Sequence, residues 1–168
     1  METYYNWMES PLGELLLVAD DEGLIELAFG RGRTAPVVDR AWKHDGAPLR
    51  EPMRQVDAFF AGQRHDFDLR LKPSGTPFQQ RVWSALCEIP YGETISYGEL
   101  ARRIGNPAAS RAVGLANGSN PIAIIIPCHR VIGSNGKLTG YGGGLDNKRW
   151  LLDFEHSQRQ LAFAAEAS

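Results

Sequence analysis

The chain has 168 residues, 43% hydrophobic and 23% charged, with a formal net charge of −2. That composition describes a globular protein of one ordinary domain or two small ones and excludes a largely disordered chain. No apolar stretch approaches the roughly 20 residues that cross a bilayer, and Met1-Glu2-Thr3-Tyr4-Tyr5-Asn6 lacks a basic region followed by an apolar one, so a cytoplasmic protein with no membrane partner is expected.

Residues 1–72 hold 9 Lys and Arg against 13 Asp and Glu, whereas residues 73–155 hold 8 against 6. A polyanion, if one is bound, therefore belongs to the second half, although an excess this small has no meaning by itself. Cys87 and Cys128 are the only cysteines, which excludes a disulfide framework and a CxxC metal site.

Taken in order, residues 4–8 read as a first strand. Glu14-Leu15-Leu16-Leu17-Val18-Ala19-Asp20 and Leu24-Ile25-Glu26-Leu27-Ala28-Phe29, joined at Asp21-Glu22-Gly23, read as a hairpin. A loop containing Gly32, Pro36 and Gly46 follows. Pro52 can open a helix whose Met53, Val56, Phe59 and Phe60 share a face, with Gly62 just past its end. Residues 65–71 alternate as a half-buried strand. Pro73-Ser74-Gly75 makes a joint, which sets the first domain at 1–73 and the second at 74–156.

Thr76-Pro77-Phe78-Gln79 is a capping box with proline at the first helical position, and its helix must end before Pro90. Cys87, beside Trp83, Leu86 and Ile89, reads as a small core residue there. Ser96-Tyr97-Gly98-Glu99 is a second capping box, opening a short helix to Gly105, and Asn106-Pro107 starts a third that runs to Gly118. Short helix, turn, short helix is a helix-turn-helix arrangement. The third helix presents Ala108, Ser110, Arg111, Leu115 and Asn117. Such small residues suit either close core packing or close approach to a narrow groove, and the pattern alone does not separate the two. Ser134-Asn135-Gly136 signals a hairpin, Asp146 can cap a last helix on which Lys148, Leu151, Leu152 and Glu155 share a face, and residues 157–168 read as a frayed tail.

The chemistry concentrates at Pro127-Cys128-His129-Arg130-Val131, after Ile122-Ala123-Ile124-Ile125-Ile126. The apolar run reads as a buried strand with a thiol at its end, placed for nucleophilic attack. An ordinary thiol with a pKa near 8.5 is only about 3% ionised at pH 7, so something must favour the thiolate. Neighbours on an extended backbone point to opposite faces, so His129 reaches Cys128 through a bridging water rather than directly. Its ring then needs an orienting acceptor, Glu155 or Asp153. A cysteine hydrolase requires a second step that frees the enzyme, and no residue clearly supplies one. Attack at a saturated carbon instead leaves a thioether, and such a protein acts once.

Four ordered motifs, Ile95-Ser96-Tyr97-Gly98-Glu99-Leu100-Ala101, Pro127-Cys128-His129-Arg130-Val131, Gly140-Tyr141-Gly142-Gly143-Gly144-Leu145 and Lys148-Arg149-Trp150-Leu151-Leu152, resemble those of the O6-alkylguanine-DNA alkyltransferases, or methylated-DNA–protein-cysteine methyltransferases (EC 2.1.1.63). The likeness covers residues 76–155, and Ser10-Pro11-Leu12-Gly13 is similar to part of that family's N-terminal domain. It implies an α+β protein, with a ribonuclease-H-like N-terminal domain and a mostly helical, winged helix-turn-helix-like C-terminal domain that enters the minor groove of double-stranded DNA as a monomer. It implies that Cys128 accepts the alkyl group of a flipped O6-alkylguanine, and less readily of O4-alkylthymine. His129 would activate the thiol through water, Glu155 hold the imidazole, Tyr97 protonate the leaving guanine and Asn120 tie the helix-turn-helix to the active-site strand. Arg111 would fill the space left by the base. Ser110, Ala112, Gly114, Asn117, Arg130 and Tyr141 would meet DNA or substrate, and Gly142, a serine in some relatives, would offer only its backbone N–H. No metal or cofactor is implied, because the substrate carries its own leaving group and no cysteine precedes Cys87 to build a zinc site. A related group with tryptophan at the acceptor position senses damaged DNA without repairing it, and non-catalytic sensing is the alternative function here.

Overall fold

The computed structural model describes residues 1–30 and 35–167. The chain divides into two compact units, Met1–Ser74 with Pro121–Ile125, and Gly75–Asn120 with the residues from Ile126 onward.

In the first unit, β1 (Thr3–Met8), β2 (Leu15–Asp20) and β3 (Leu24–Phe29) form an antiparallel meander. β2 is buried from Leu15 to Ala19 because it lies at the centre. The β2–β3 turn forms where Asp20 Oδ1 accepts from the Glu22 and Gly23 N–H groups at 2.8 and 3.1 Å, the self-bonding that suits aspartate to turns. A two-residue strand, β4 (Lys43–His44), pairs parallel to β1, giving the mixed order β3-β2-β1-β4. Helix α1 (Arg50–Phe60) begins two residues before Pro52, buries Val56 and Phe59, and is followed by Gly62 at φ 74°.

Two expectations change in this unit. Residues 65–71 alternate in burial but form no strand; only Leu71 bridges Leu24, through Leu24 N–H to Arg70 O and Lys72 N–H to Leu24 O. The run at 122–126 is not a strand either. Ile122 makes one bridge to Leu27, and the chain then turns through Ile124 at φ 72°. Positive φ is strained for a β-branched residue, and here that residue is fully buried. Gly32 lies outside the described residues.

The second unit holds α2 (Pro77–Leu86), β5 (Ile95–Ser96), α3 (Tyr97–Arg103), α4 (Ser110–Gly118), β6 (Val131–Ile132) and α5 (Leu145–Ala167). The Thr76 capping box forms in full. At Ser96 only half of it does: Ser96 Oγ accepts the Glu99 N–H, but the Glu99 carboxylate turns to Arg102 and Arg103. Gly105, at φ 78°, ends α3, a 3-10 turn at Pro107–Ala109 leads into α4, and the buried Trp83 indole donates to Ala116 O at 2.9 Å, fixing α2 to α4.

Four readings change in this unit. Cys87 is exposed, because α2 ends at Leu86 and position 87 leaves the Trp83–Leu86 stripe. Gly133-Ser134-Asn135-Gly136 makes the turn, with Gly136 N–H to Gly133 O at 2.9 Å, but no strand returns from it; β6 pairs parallel to β5 instead. Asp146 is the second residue of α5 rather than its cap. That helix continues through residues 157–167, where a frayed tail was expected.

Candidate active site

Pro127 ends the apolar turn, and Cys128–Arg130 wind into a single 3-10 turn in place of the extended backbone expected. The Cys128 side chain is therefore held from α4 rather than from a strand. Asn120 Nδ2, just past the α4 end, donates to Ile126 O at 2.7 Å and to Cys128 Sγ at 3.1 Å. Asn117 Nδ2 donates to Cys128 O at 3.3 Å. The thiol is 5% exposed. Burial pushes its pKa up, while Asn120, Lys148 and Tyr141 beside it oppose that rise only in part.

His129 and Glu155 are both fully buried, with Nε2 and Oε2 2.7 Å apart. Burial acts to raise the Glu155 pKa, but His129, through its charge and its hydrogen bond, and then the Arg130 guanidinium outweigh it and hold the carboxyl at about 2. An ionised carboxylate can only accept, so Nε2 carries the proton and Nδ1 the lone pair. Among the described residues, Nδ1 is buried without a hydrogen-bond partner. Despite Glu155 beside it, burial lowers the imidazole pKa, which favours the neutral ring.

Glu155 is saturated. Oε1 accepts from Arg130 Nε at 2.9 Å and Gly92 N–H at 3.2 Å; Oε2 accepts from His129 Nε2 and from Arg130 Nη2 at 2.9 Å. Arg130 Nη1 takes Ile89 O at 2.7 Å. The expectation that Arg130 meets DNA is thereby corrected: the residue is 5% exposed and its guanidinium is committed to the carboxylate.

Lys148, fully buried, donates from Nζ to Thr139 O at 2.8 Å and lies 5.9 Å from the Tyr97 ring centroid. Burial brings its pKa down to about 8, against the pull of Cys128. The Tyr97 hydroxyl donates to the same Thr139 carbonyl at 3.1 Å. Tyr141 sets its hydroxyl against the sulfur, and burial raises its pKa strongly. Among the described residues, no group of three or more His, Cys, Asp or Glu side chains could hold a metal ion.

Residues 77–157 match the family described as 6-O-methylguanine DNA methyltransferase, DNA binding domain, and residues 3–73 match the ribonuclease-like domain of the same family. The chain belongs to the O6-methylguanine DNA methyltransferase family. It is 57% identical over 154 residues to the methylated-DNA–protein-cysteine methyltransferase of Methanosarcina acetivorans, covering 92% of this chain and 99% of that one. The crystal structure of the Mycobacterium tuberculosis O6-methylguanine methyltransferase superposes with a TM-score of 0.85 at 52% identity, covering 93% of this chain and 94% of that one. The M. tuberculosis OGT in complex with DNA gives 0.86 at 52% identity, covering 92% and 94%. The mixed sheet followed by a helical DNA-binding domain is that family's α+β architecture.

Within this methyltransferase frame, Cys128, His129, Glu155, Asn120 and Tyr141 converge, and Tyr97 joins them through Thr139 and Lys148. Arg111 and Ala112 are exposed and Ser110 half-buried at the start of α4. Gly114 faces Tyr97, where an added Cβ would rest 3.8 Å from the ring. Asn117 turns inward to the Cys128 carbonyl, which corrects its expected place against DNA. Gly142 is half-buried in the loop after Tyr141. Lys148 was missed as a site residue. The signal was available: a lysine placed one turn before Leu151 on the apolar face shared with Glu155.

Proposed function

We propose that this chain takes the alkyl group of O6-alkylguanine in duplex DNA, and less readily that of O4-alkylthymine, onto Cys128 in one irreversible event. The observation that carries this reading is the Asn120-bonded sulfur of Cys128, followed in the chain by an imidazole whose Nε2 is fixed on Glu155. His129 Nδ1 takes the thiol proton through a bridging water. Sulfur attacks the saturated carbon, the C–S bond forms as the C–O6 bond breaks, and the electron pair left on guanine is met by the Tyr97 hydroxyl proton, after that group turns from Thr139 O to the base. The proton gained by the imidazole and the one lost from Tyr97 are balanced through solvent. The products are a thioether and an unmodified guanine, with no cofactor or metal involved.

The target reaches the thiol by base flipping. The α3–α4 pair enters the minor groove, Ser110, Ala112 and Gly114 allow close approach, and Arg111 occupies the vacated space. Extruding a base costs a few kcal/mol, less where alkylation has weakened pairing, and the inserted side chain offsets part of it. Tyr141 and the Gly142 N–H face the base. The protein works as a monomer in the cytoplasm. Intact-mass analysis after incubation with stoichiometric methylated duplex is expected to show one methyl, mapped to a Cys128 peptide and absent from Cys128→Ala. An unmodified protein, or several lesions processed per protein, rejects the proposal.

A further inference from the structure

The Glu155 carboxylate and the Arg130 guanidinium that grips it both rest on one short irregular segment between α2 and β5. Ile89 O accepts from Arg130 Nη1 at 2.7 Å, the Tyr91 ring centroid lies 5.6 Å from Arg130 Cζ, and the Gly92 N–H donates to Glu155 Oε1 at 3.2 Å. The segment turns at residues 90–93, where the Glu93 N–H meets Pro90 O at 3.1 Å and Gly92 sits at φ 79°. That conformation calls for glycine at the third turn position, and a glycine has no side chain with which to anchor its own N–H. The anchor comes from α5. Arg159 stands four residues after Glu155, about 6 Å further along the same face. Its half-buried stem runs over Gly92, so that a Cβ added there would lie 2.8 Å from Arg159 Cδ. Arg159 Nη1 points to Gly92 O at 3.5 Å, and the Phe163 ring centroid, one helical turn on, lies 5.6 Å from the same guanidinium.

We infer that Arg159 is a positioning residue for alkyl transfer: pressed on the turn at residues 90–93, it keeps the Gly92 N–H on Glu155 and thereby fixes the His129 imidazole. The inference rests on the alkyl-transfer reading given above. Packing carries the contact more than hydrogen bonding does, because 3.5 Å is at the long end of useful N–H···O distances, whereas a methylene stem lying on bare backbone shields the Gly92–Glu155 bond from water. The donors on Glu155 also differ in origin. His129 and Arg130 are neighbours in one 3-10 turn and move together. Gly92 comes from another part of the chain, so its N–H is the contact that stops the carboxylate rocking about the other two. Without it the line from Oε2 to Nε2, and with that line the direction of Nδ1, loses its fixed setting.

The test uses the full chain with two readouts and urea midpoints measured in parallel. One is solvent exchange of the His129 Nε2 proton, followed by NMR on 15N-histidine-labelled protein; the other is the rate of alkyl transfer from a free O6-alkylguanine base. Arg159→Ala, which keeps a strong helix former in place, is expected to speed exchange and slow transfer by about fivefold each, the worth of one hydrogen bond. Arg159→Met, which keeps an unbranched stem without the charge, is expected to restore both to within about twofold of the parent, as packing rather than charge requires. Gly92→Ala, whose Cβ pushes the stem away, is expected to reproduce the loss with Arg159 still present. Exchange in Arg159→Ala within about twofold of the parent, whatever the urea midpoint does, overturns the inference, and so does a loss in Arg159→Met equal to that in Arg159→Ala. A parent that shows the protected ring proton but transfers nothing overturns the alkyl-transfer reading alone, and the exchange comparison still decides whether Arg159 braces the turn.

Discussion

Replacing Glu155 by Gln removes the buried charge that faces Arg130, and two routes give the size of the effect. Breaking a buried ion pair by deleting one partner costs about 3–5 kcal/mol, because the other charge is left uncompensated. Independently, holding a carboxyl at about 2 against an ordinary 4.5 corresponds to about 3 kcal/mol of stability at neutral pH. The sign follows from the depressed value: this stability is fully present above about pH 4.5 and is lost as pH falls towards 2. Urea unfolding at pH 7 should therefore place Glu155→Gln about 3 kcal/mol below the parent, with the gap narrowing to roughly half or less by pH 3. Arg130→Met should cost a similar amount. The double variant should cost less than the two combined by about 2 kcal/mol, since neither charge is then stranded. Losses that add within about 0.5 kcal/mol, or a gap that does not change with pH, would refute the clamp and return Arg130 to the role of a DNA contact.

Asn120→Ala removes the N–H donor at the sulfur; the thiol pKa should rise further and alkyl transfer at neutral pH slow by about tenfold or more, the worth of a hydrogen bond to a charged acceptor, read from the pH profile of iodoacetamide labelling and from transfer rate. Lys148, held near 8 against an ordinary 10.5, carries its charge at a cost below pH 8. As pH rises from 8 towards 10.5 the folded chain has released that proton and the unfolded chain has not, so between pH 8 and 10 the parent should gain about 2 kcal/mol relative to Lys148→Met, measured by urea midpoints. Arg111→Ala should slow repair of methylated duplex more than reaction with a free O6-alkylguanine base, and equal losses on both would remove it from base flipping.

The parts of the fold that follow from local chemistry were legible in the chain: the hairpin closed by Asp20, the Thr76 capping box and the helix-turn-helix broken at Gly105. What depended on distant partners was not. Lys43–His44 becomes a strand only because β1 lies beside it, and the isoleucine run at 122–126 is as compatible with a buried turn as with a strand, because burial alone makes such a run apolar. The far half of α5 has lost its amphipathic stripe, but its alanines are strong helix formers and carry it on to Ala167. At the site, residue types announced Cys128, His129 and Glu155. The inward turn of Asn117 and the commitment of Arg130 to a carboxylate depend on which way a helix or a 3-10 turn faces, information that spacing alone does not hold.

A catalyst that cycles must return every proton it borrows, so its acid and base have to be at ease in two states. Glu155, gripped by four N–H donors, needs only one: it stays ionised and holds the imidazole in one tautomer, so the interior can commit that charge to a permanent setting, like a spring latch that is never asked to be cocked again.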